Sequence, residues 1–210
     1  VTAAIGALKW GFNTPGLFLW ATVAREPYGR VRVVDELKFQ HKPEDVIAEL
    51  IAERSARLGL TLQRSYADES LFNLSNPETR KTVPVETPAD VFRRNGLSLT
   101  PVSGDVEHQW QRLHDYLRPA PDGIPWMVFA PACRIITRTL PTLTQRKTNP
   151  DDVDPAGPSF AAHALRVLVS ARPSPSALKQ HREPFGFMTL GWLKSMDDAP
   201  DPRAVLRRLT

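Results

Sequence analysis

The hydrophobic positions of the chain open with three apolar runs separated by turn residues. Residues 3–10 form a short run that ends at Lys9, Trp10 and Gly11, and Pro15 and Gly16 mark the turn after it. The runs GLFLWATVA and RVRVVDELKF are rich in Val, Leu and Phe and predict two further strands, with REPYG as the hairpin connection between them. KPEDVIAELIAERSARLGL predicts the clearest helix. Pro43, Glu44 and Asp45 suit its start, Gly59 suits its stop, and Val46, Ile47, Leu50, Ile51 and Leu58 make an apolar stripe.

Beyond that helix, LQRSYADES predicts a strand ending in acids. TPADVFRRNGL predicts a short helix with Thr87 as its cap and Gly96 past its end. DVEHQWQRLHDYLR predicts an amphipathic helix presenting Val106, Trp110, Leu113 and Leu117. WMVFA predicts a buried strand, ACRIITRTL a helix, TNPDDVDPAGPS a loop and FAAHALRVLVSA the last helix. Three strands followed by strands alternating with helices predict an α/β fold: a mixed central sheet with an antiparallel front hairpin and flanking helices. From residue 173 the character changes, through the breaker-rich RPSPS into a tail carrying FGFMTLGWL and DPRAVLRRL. The expected division is a domain over 1–172 and a linker and tail over 173–210, with Phe185, Phe187, Met188, Leu190, Trp192 and Leu193 packing on the domain or on a partner.

Composition narrows the classes without choosing among them. The 210 residues, 41% of them hydrophobic, can build one ordinary core plus an appendage. No run approaches the ~18 apolar residues of a membrane span, so no membrane partner is expected. The chain begins with Val and has no basic-then-apolar leader, which suggests an excised fragment or a processed product. A single cysteine, Cys133, excludes an internal disulfide and a multi-thiolate metal site, and suits a small buried residue. A net charge of +4 is compatible with a polyanionic partner but does not demonstrate one.

Motifs for several chemistries are missing. The sequence contains no G-x-x-x-x-G-K-[ST], G-x-S-x-G, H-E-x-x-H or C-x-x-C. His108 and His114 stand six apart on a helix, nearly on opposite faces, and no zinc site is expected from them. Asp68 and Glu69 end a strand, where open α/β sheets place functional groups. Asp151, Asp152 and Asp154 fit a solvated loop before the last helix. The segment from 134 to 147 carries Arg134, Arg138, Arg146 and Lys147 and no acid; it suits either a solvated face or a DNA-backbone contact.

The succession LKWGFNTPGLFLW, VVDELKFQHKPEDVIAEL, SYADES, ETPADVFRRNGL, HQWQRLHDYL, PWMVFAPACRIITRTLPTL and NPDDVDPAGPSFAAHALR, over about residues 5–172, resembles the C-terminal nuclease domain of tailed-phage terminase large subunits. The resemblance implies an RNase H-like fold with three acids holding two divalent metals, Mg or Mn, for cleavage of packaged DNA. One acid precedes a Trp-Gly pair, a second ends the strand after the first long helix, and the third lies in a last-helix pattern, Asp-His-x-x-Asp-Ala-Leu-Arg. Asp68 occupies the second position. Lys9 occupies the first, directly before Trp10 and Gly11, and His163 stands at the third, with Ser159 and Phe160 in place of the Asp-His pair.

That substitution changes the electrostatics. Lys9, Asp68 and a neutral His163 sum to zero where three carboxylates would carry −3, and magnesium wants hard oxygen ligands. One like-charge contact at ~4 Å and an effective dielectric of ~20 is worth roughly 4 kcal/mol per unit charge, and the metal carries two. No cofactor is therefore expected, and Mg or Mn only if the site is active. An ion pair between Lys9 and Asp68 is expected in place of the metals, with Asp154, Asp151 or Asp35 as the substitute ligands to weigh against it. The implied role is a catalytically impaired domain binding double-stranded DNA, the portal or other packaging-motor subunits in the host cytoplasm, with the ATPase domain absent from this chain. An active endonuclease with rearranged ligands is the alternative.

Overall fold

In the computed structural model the described residues are 2–24, 29–73, 86–147, 149–154 and 157–175. The REPY connection and the tail from 176 onward, including the apolar residues from Phe185 to Leu193, lie outside them. The compact unit extends to Pro175.

The three opening runs are strands β1 (Thr2–Lys9), β2 (Gly16–Val23) and β3 (Val31–Phe39). They form an antiparallel meander, with Lys9 opposite Leu17 and Gly16 opposite Phe39. The first six residues of β2 are all buried because layers cover both faces of the sheet, which is why GLFLWATV reads as a continuous apolar run. β4 (Leu60–Asp68) lies parallel to β1, and β5 (Leu99–Val102) lies parallel to β4. β6 (Met127–Phe129) lies parallel to β3 on the far edge. The sheet order is β5-β4-β1-β2-β3-β6, a mixed sheet with an antiparallel front, as expected. β5 was not foreseen. It is four residues long, and its Pro101 is tolerated because the strand sits on the sheet edge.

α1 (Glu44–Arg57) has acids in its first turn and arginines in its last, and Gly59 leaves it at φ +64°. Its buried face is rotated from the expected stripe. Ile47, Ala48, Ile51 and Ser55 face inward, whereas Leu58 is 39% exposed. The Ser55 hydroxyl is buried because it accepts from the Trp20 indole at 2.8 Å and donates to the Ile51 carbonyl at 2.7 Å. α2 (Pro88–Arg94) starts in a capping box between Thr87 and Asp90 and packs on α1. Together they cover a core that includes Leu8, Phe18, Trp20, Ile47, Ile51 and Phe92.

The opposite face carries α5 (Phe160–Ser170), which packs on β1, β2 and β4 and is itself covered by α3 (Val106–Leu117). On α3 the inward residues are Trp110, Leu113 and Tyr116, while Val106 is 42% exposed. α4 (Arg134–Thr139) follows β6. The predicted loop over 148–159 is in part a strand: β7 (Gln145–Arg146) and β8 (Asn149–Val153) form a two-stranded ladder. Pro and Asp mask such a strand in the sequence, and an edge position accommodates them. No helix among the described residues is long and apolar enough to cross a membrane.

Candidate functional site

The parallel ladder pairs Leu8 of β1 with Ala67 of β4, so Lys9 and Asp68 follow as neighbours at the C-terminal ends of the two strands. Leu8 and Ala67 belong to the α1 core, and the alternation of strand side chains therefore turns Lys9 and Asp68 toward α5. From α5 come His163 and Arg166, three residues apart and on one face. The three positions singled out in the sequence are thus brought together, and a fourth residue joins them.

Arg166 is the ion-pair partner of Asp68. Its guanidinium lies 3.3 Å from Asp68 Oδ2, and Asp68 Oδ1 accepts a hydrogen bond from the Ser70 amide at 3.1 Å. The expected pairing of Asp68 with Lys9 does not form: no carboxylate lies within 4.0 Å of the Lys9 nitrogen among the described residues. The reason is reach, because α5 lays the longer Arg166 fork across the end of β4. Arg166 is only 8% exposed, and its guanidinium also sits 5.3 Å from the Trp110 ring centroid. The Trp110 indole donates to Asp152 Oδ1 at 3.1 Å, and the Trp110 ring lies 5.4 Å from that of His163. The result is a connected layer: Asp68, Arg166, Trp110, Asp152.

The charges follow from this packing. Burial lowers the pKa of Lys9, Asp68 opposes the shift and Arg166 adds to it. Burial pushes His163 down to about 4, with Arg166 and Lys9 acting in the same direction and Asp152 and Asp68 against it. At neutral pH His163 is therefore an uncharged imidazole. Arg166 is also lowered by burial, yet a guanidinium stays protonated in a protein. Lys9 and Arg166 outnumber Asp68 at the strand ends by one charge, and Asp152 at the far side of the layer balances it.

This donor set does not fit a pair of divalent metals. The one acid at the strand ends spends an oxygen on Arg166, and the groups beside it are a lysine and a neutral imidazole. Among the described residues no three His, Cys, Asp or Glu side chains are grouped to hold an ion. Of the substitute ligands weighed from the sequence, Asp35 is committed to another partner. Asp35 is 1% exposed and accepts from Nε and Nη2 of Arg54, at 2.6 and 3.0 Å. Its neighbour Glu36 accepts from the amides of Ile135 and Ile136 and so caps α4 from the side. Asp154 belongs to the turn after β8, where its amide donates to the Thr144 carbonyl at 2.9 Å. The side chain of Asp151 lies outside the described residues.

The basic segment is split between elements. Arg134 and Arg138 are exposed on α4, one turn apart, and Arg146 and Lys147 are exposed at the β7 end. Arg146 is partly neutralised, since it approaches Asp152 at 3.8 Å. Cys133 is buried, as expected, and burial pushes its thiol up to about 12.

No protein-family model and no curated protein matches the chain by sequence. Solved structures do match by shape. The nuclease domain of the phage P22 large terminase superposes with a TM-score of 0.59 at 11% identity, covering 84% of this chain and 86% of that domain. The fold is that of a large-terminase nuclease domain. A large terminase from a thermophilic bacteriophage, solved in complex with ATP-gamma-S, matches at TM-score 0.57 and 11% identity over 80% of this chain. The match spans 39% of that longer chain. The large-terminase nuclease of the thermophilic phage G20c, crystallised with bound cobalt, matches at TM-score 0.50 and 10% identity over 81% of each chain. Within this terminase-type fold the residue that sequence reasoning missed is Arg166. Its signal was an arginine inside the otherwise apolar FAAHALRVLVS, three residues from the histidine already singled out.

Proposed function

We propose that this chain is the nuclease-type domain of a phage DNA-packaging terminase large subunit and that it binds DNA without cutting it. One observation carries the reading: at the strand ends where the fold's metal-binding acids are expected, the retained Asp68 is held by Arg166 beside the ammonium of Lys9. A lysine and an arginine placed around the one remaining strand-end acid attract a phosphate backbone and repel the ions that would activate water on it. Arg134 and Arg138 on α4, with Lys147 and the partly compensated Arg146, supply a second basic surface for the same duplex. Double-stranded DNA, the portal and other motor subunits are the partners in this reading, and the host cytoplasm is the place of action.

The competing reading is an active endonuclease with rearranged ligands. A plasmid-nicking assay with Mg²⁺ and with Mn²⁺ separates the two. The expected result is intact supercoiled plasmid with either ion, together with retarded migration of a duplex. Nicking that disappears in Asp68→Ala would overturn the proposal.

A further inference from the structure

Beside the Asp68–Arg166 pair lies a pocket of about 230 Å³ lined by Lys9, Thr14, Pro15, Gly157, Ser159, Phe160 and His163. Among the described residues its lining contains no carboxylate. Lys9 donates no side-chain hydrogen bond and has no ion pair within 4.0 Å among the described residues, and it is half-buried at the mouth of the strand end. An ammonium in such a place has lost part of its hydration without gaining a partner, and that is the condition an anion relieves.

The rest of the lining has the same preference. The side chain of Ser159, at the start of α5, makes no capping bond and lines the pocket. On the other wall Thr14 is held in place by the β1–β2 turn. Gly11 makes room for it, since a Cβ on Gly11 would come 2.3 Å from the Thr14 hydroxyl. The same turn is tied to β3 by Gln40 donating to the Asn13 carbonyl at 3.0 Å and by His41 donating to the Phe12 carbonyl at 3.0 Å. Both walls therefore belong to fixed elements.

We infer that this pocket binds a phosphate group, with Lys9 as its charged donor and the hydroxyls of Thr14 and Ser159 as its neutral donors. The size favours a small oxyanion, because drug-sized ligands occupy about 300–1,000 Å³. Donors on two facing walls suit a tetrahedral anion with four oxygens better than a planar carboxylate with two. The inference rests on the DNA-binding reading only for the source of the phosphate, which is the backbone of a bound duplex.

Calorimetric titration of the whole chain with inorganic phosphate, and fluorescence anisotropy with a short duplex, test it. Lys9→Gln should weaken inorganic phosphate binding by about tenfold or more, and Ser159→Ala by a few-fold, the usual sizes for losing a charged and a neutral donor. Arg57→Gln, at the exposed end of α1 beside the start of β1 and so away from the pocket, should leave inorganic phosphate binding unchanged. Phosphate binding that is absent in the unaltered chain, or equal in Lys9→Gln and Ser159→Ala, overturns the site while leaving DNA binding by α4 intact. Duplex affinity that falls in Lys9→Gln supports the backbone as the source. Duplex affinity unchanged in a variant that has lost inorganic phosphate overturns the backbone assignment. Mg²⁺-dependent nicking by the unaltered chain would overturn the non-cleaving reading and leave the phosphate site standing.

Discussion

Acid should destabilise this domain through His163, and replacing that residue should remove part of the sensitivity. The imidazole is pushed down to about 4 by burial against α3 and β1, with Arg166 and Lys9 adding to the shift and Asp152 and Asp68 opposing it. An unfolded histidine titrates near its ordinary 6.5. Between those values the unfolded chain binds a proton that the folded chain refuses, so stability rises with pH across the window and falls on acidification. The loss begins below about 6.5 and is complete near 4. A difference of about 2.5 pH units corresponds to roughly 3 kcal/mol. For a domain of this length that is a fall in Tm on the order of 10 °C.

The assay is thermal unfolding by circular dichroism from pH 7.5 to 4.5 for the unaltered chain and for His163→Phe. Phenylalanine keeps an aromatic surface beside Trp110, whose ring centroid lies 5.4 Å away, and cannot take up a proton. Carboxylates that titrate in the same range, including Glu36 with its pKa raised by burial, are common to both proteins and cancel in the difference. The two Tm curves should therefore converge at the acid end, with the variant gaining relative stability as the pH falls. Parallel curves would refute the argument, because they would mean that the folded protein protonates His163 as freely as the unfolded chain does.

Three further outcomes follow from the same geometry. Asp68→Ala removes the ion-pair partner of a guanidinium that is 8% exposed; with Asp68 itself 33% exposed, urea unfolding should show a loss on the order of 2 kcal/mol, below the ~3–5 kcal/mol of a fully buried pair. Arg138→Gln/Arg146→Gln should weaken duplex binding and lower the slope of log affinity against log salt by about 1.5, less than the ~1.8 of two full phosphate contacts because Arg146 already faces Asp152. Lys9→Asp/His163→Asp sets two new carboxylates beside Asp68 and removes a cation, so calorimetry should detect Mn²⁺ binding in the double variant and none in the unaltered chain.

Elements with strong local signals were legible in the sequence. The meander of β1, β2 and β3 announced itself through β-branched and aromatic runs, and α1 and α2 through their capping residues and terminal glycines. What escaped was short or set by tertiary packing. β5 and β7 have four and two residues, too few for a period to show. The face of α1 turned because the Trp20 indole pulls Ser55 inward, an effect that no periodicity of apolar residues encodes. At the site, Asp68 was legible as a strand-end acid, whereas Lys9 and His163 could be located only through the resemblance. The partner of Asp68 could not, because it lies 98 residues away on another element.

The cluster at the strand ends is better described as exchanged than as lost. Removing one acid from a three-acid site would leave two carboxylates with nothing to balance them, a costly arrangement once α3 and α5 cover the site. Here the charge of Asp68 is matched by Arg166, the guanidinium is spread over Trp110, and the Trp110 indole is in turn satisfied by Asp152. His163 stays neutral and adds no charge to the layer. Within this cluster Lys9 is left without a close counter-ion among the described residues, and it lines the pocket under the first turn of α5. Unmatched groups do remain around it: the buried Nε of Arg166 and the Trp10 indole have no acceptor among the described residues. Lys9 differs from them in carrying its charge at the lip of a pocket, and that is what a site for an anion requires.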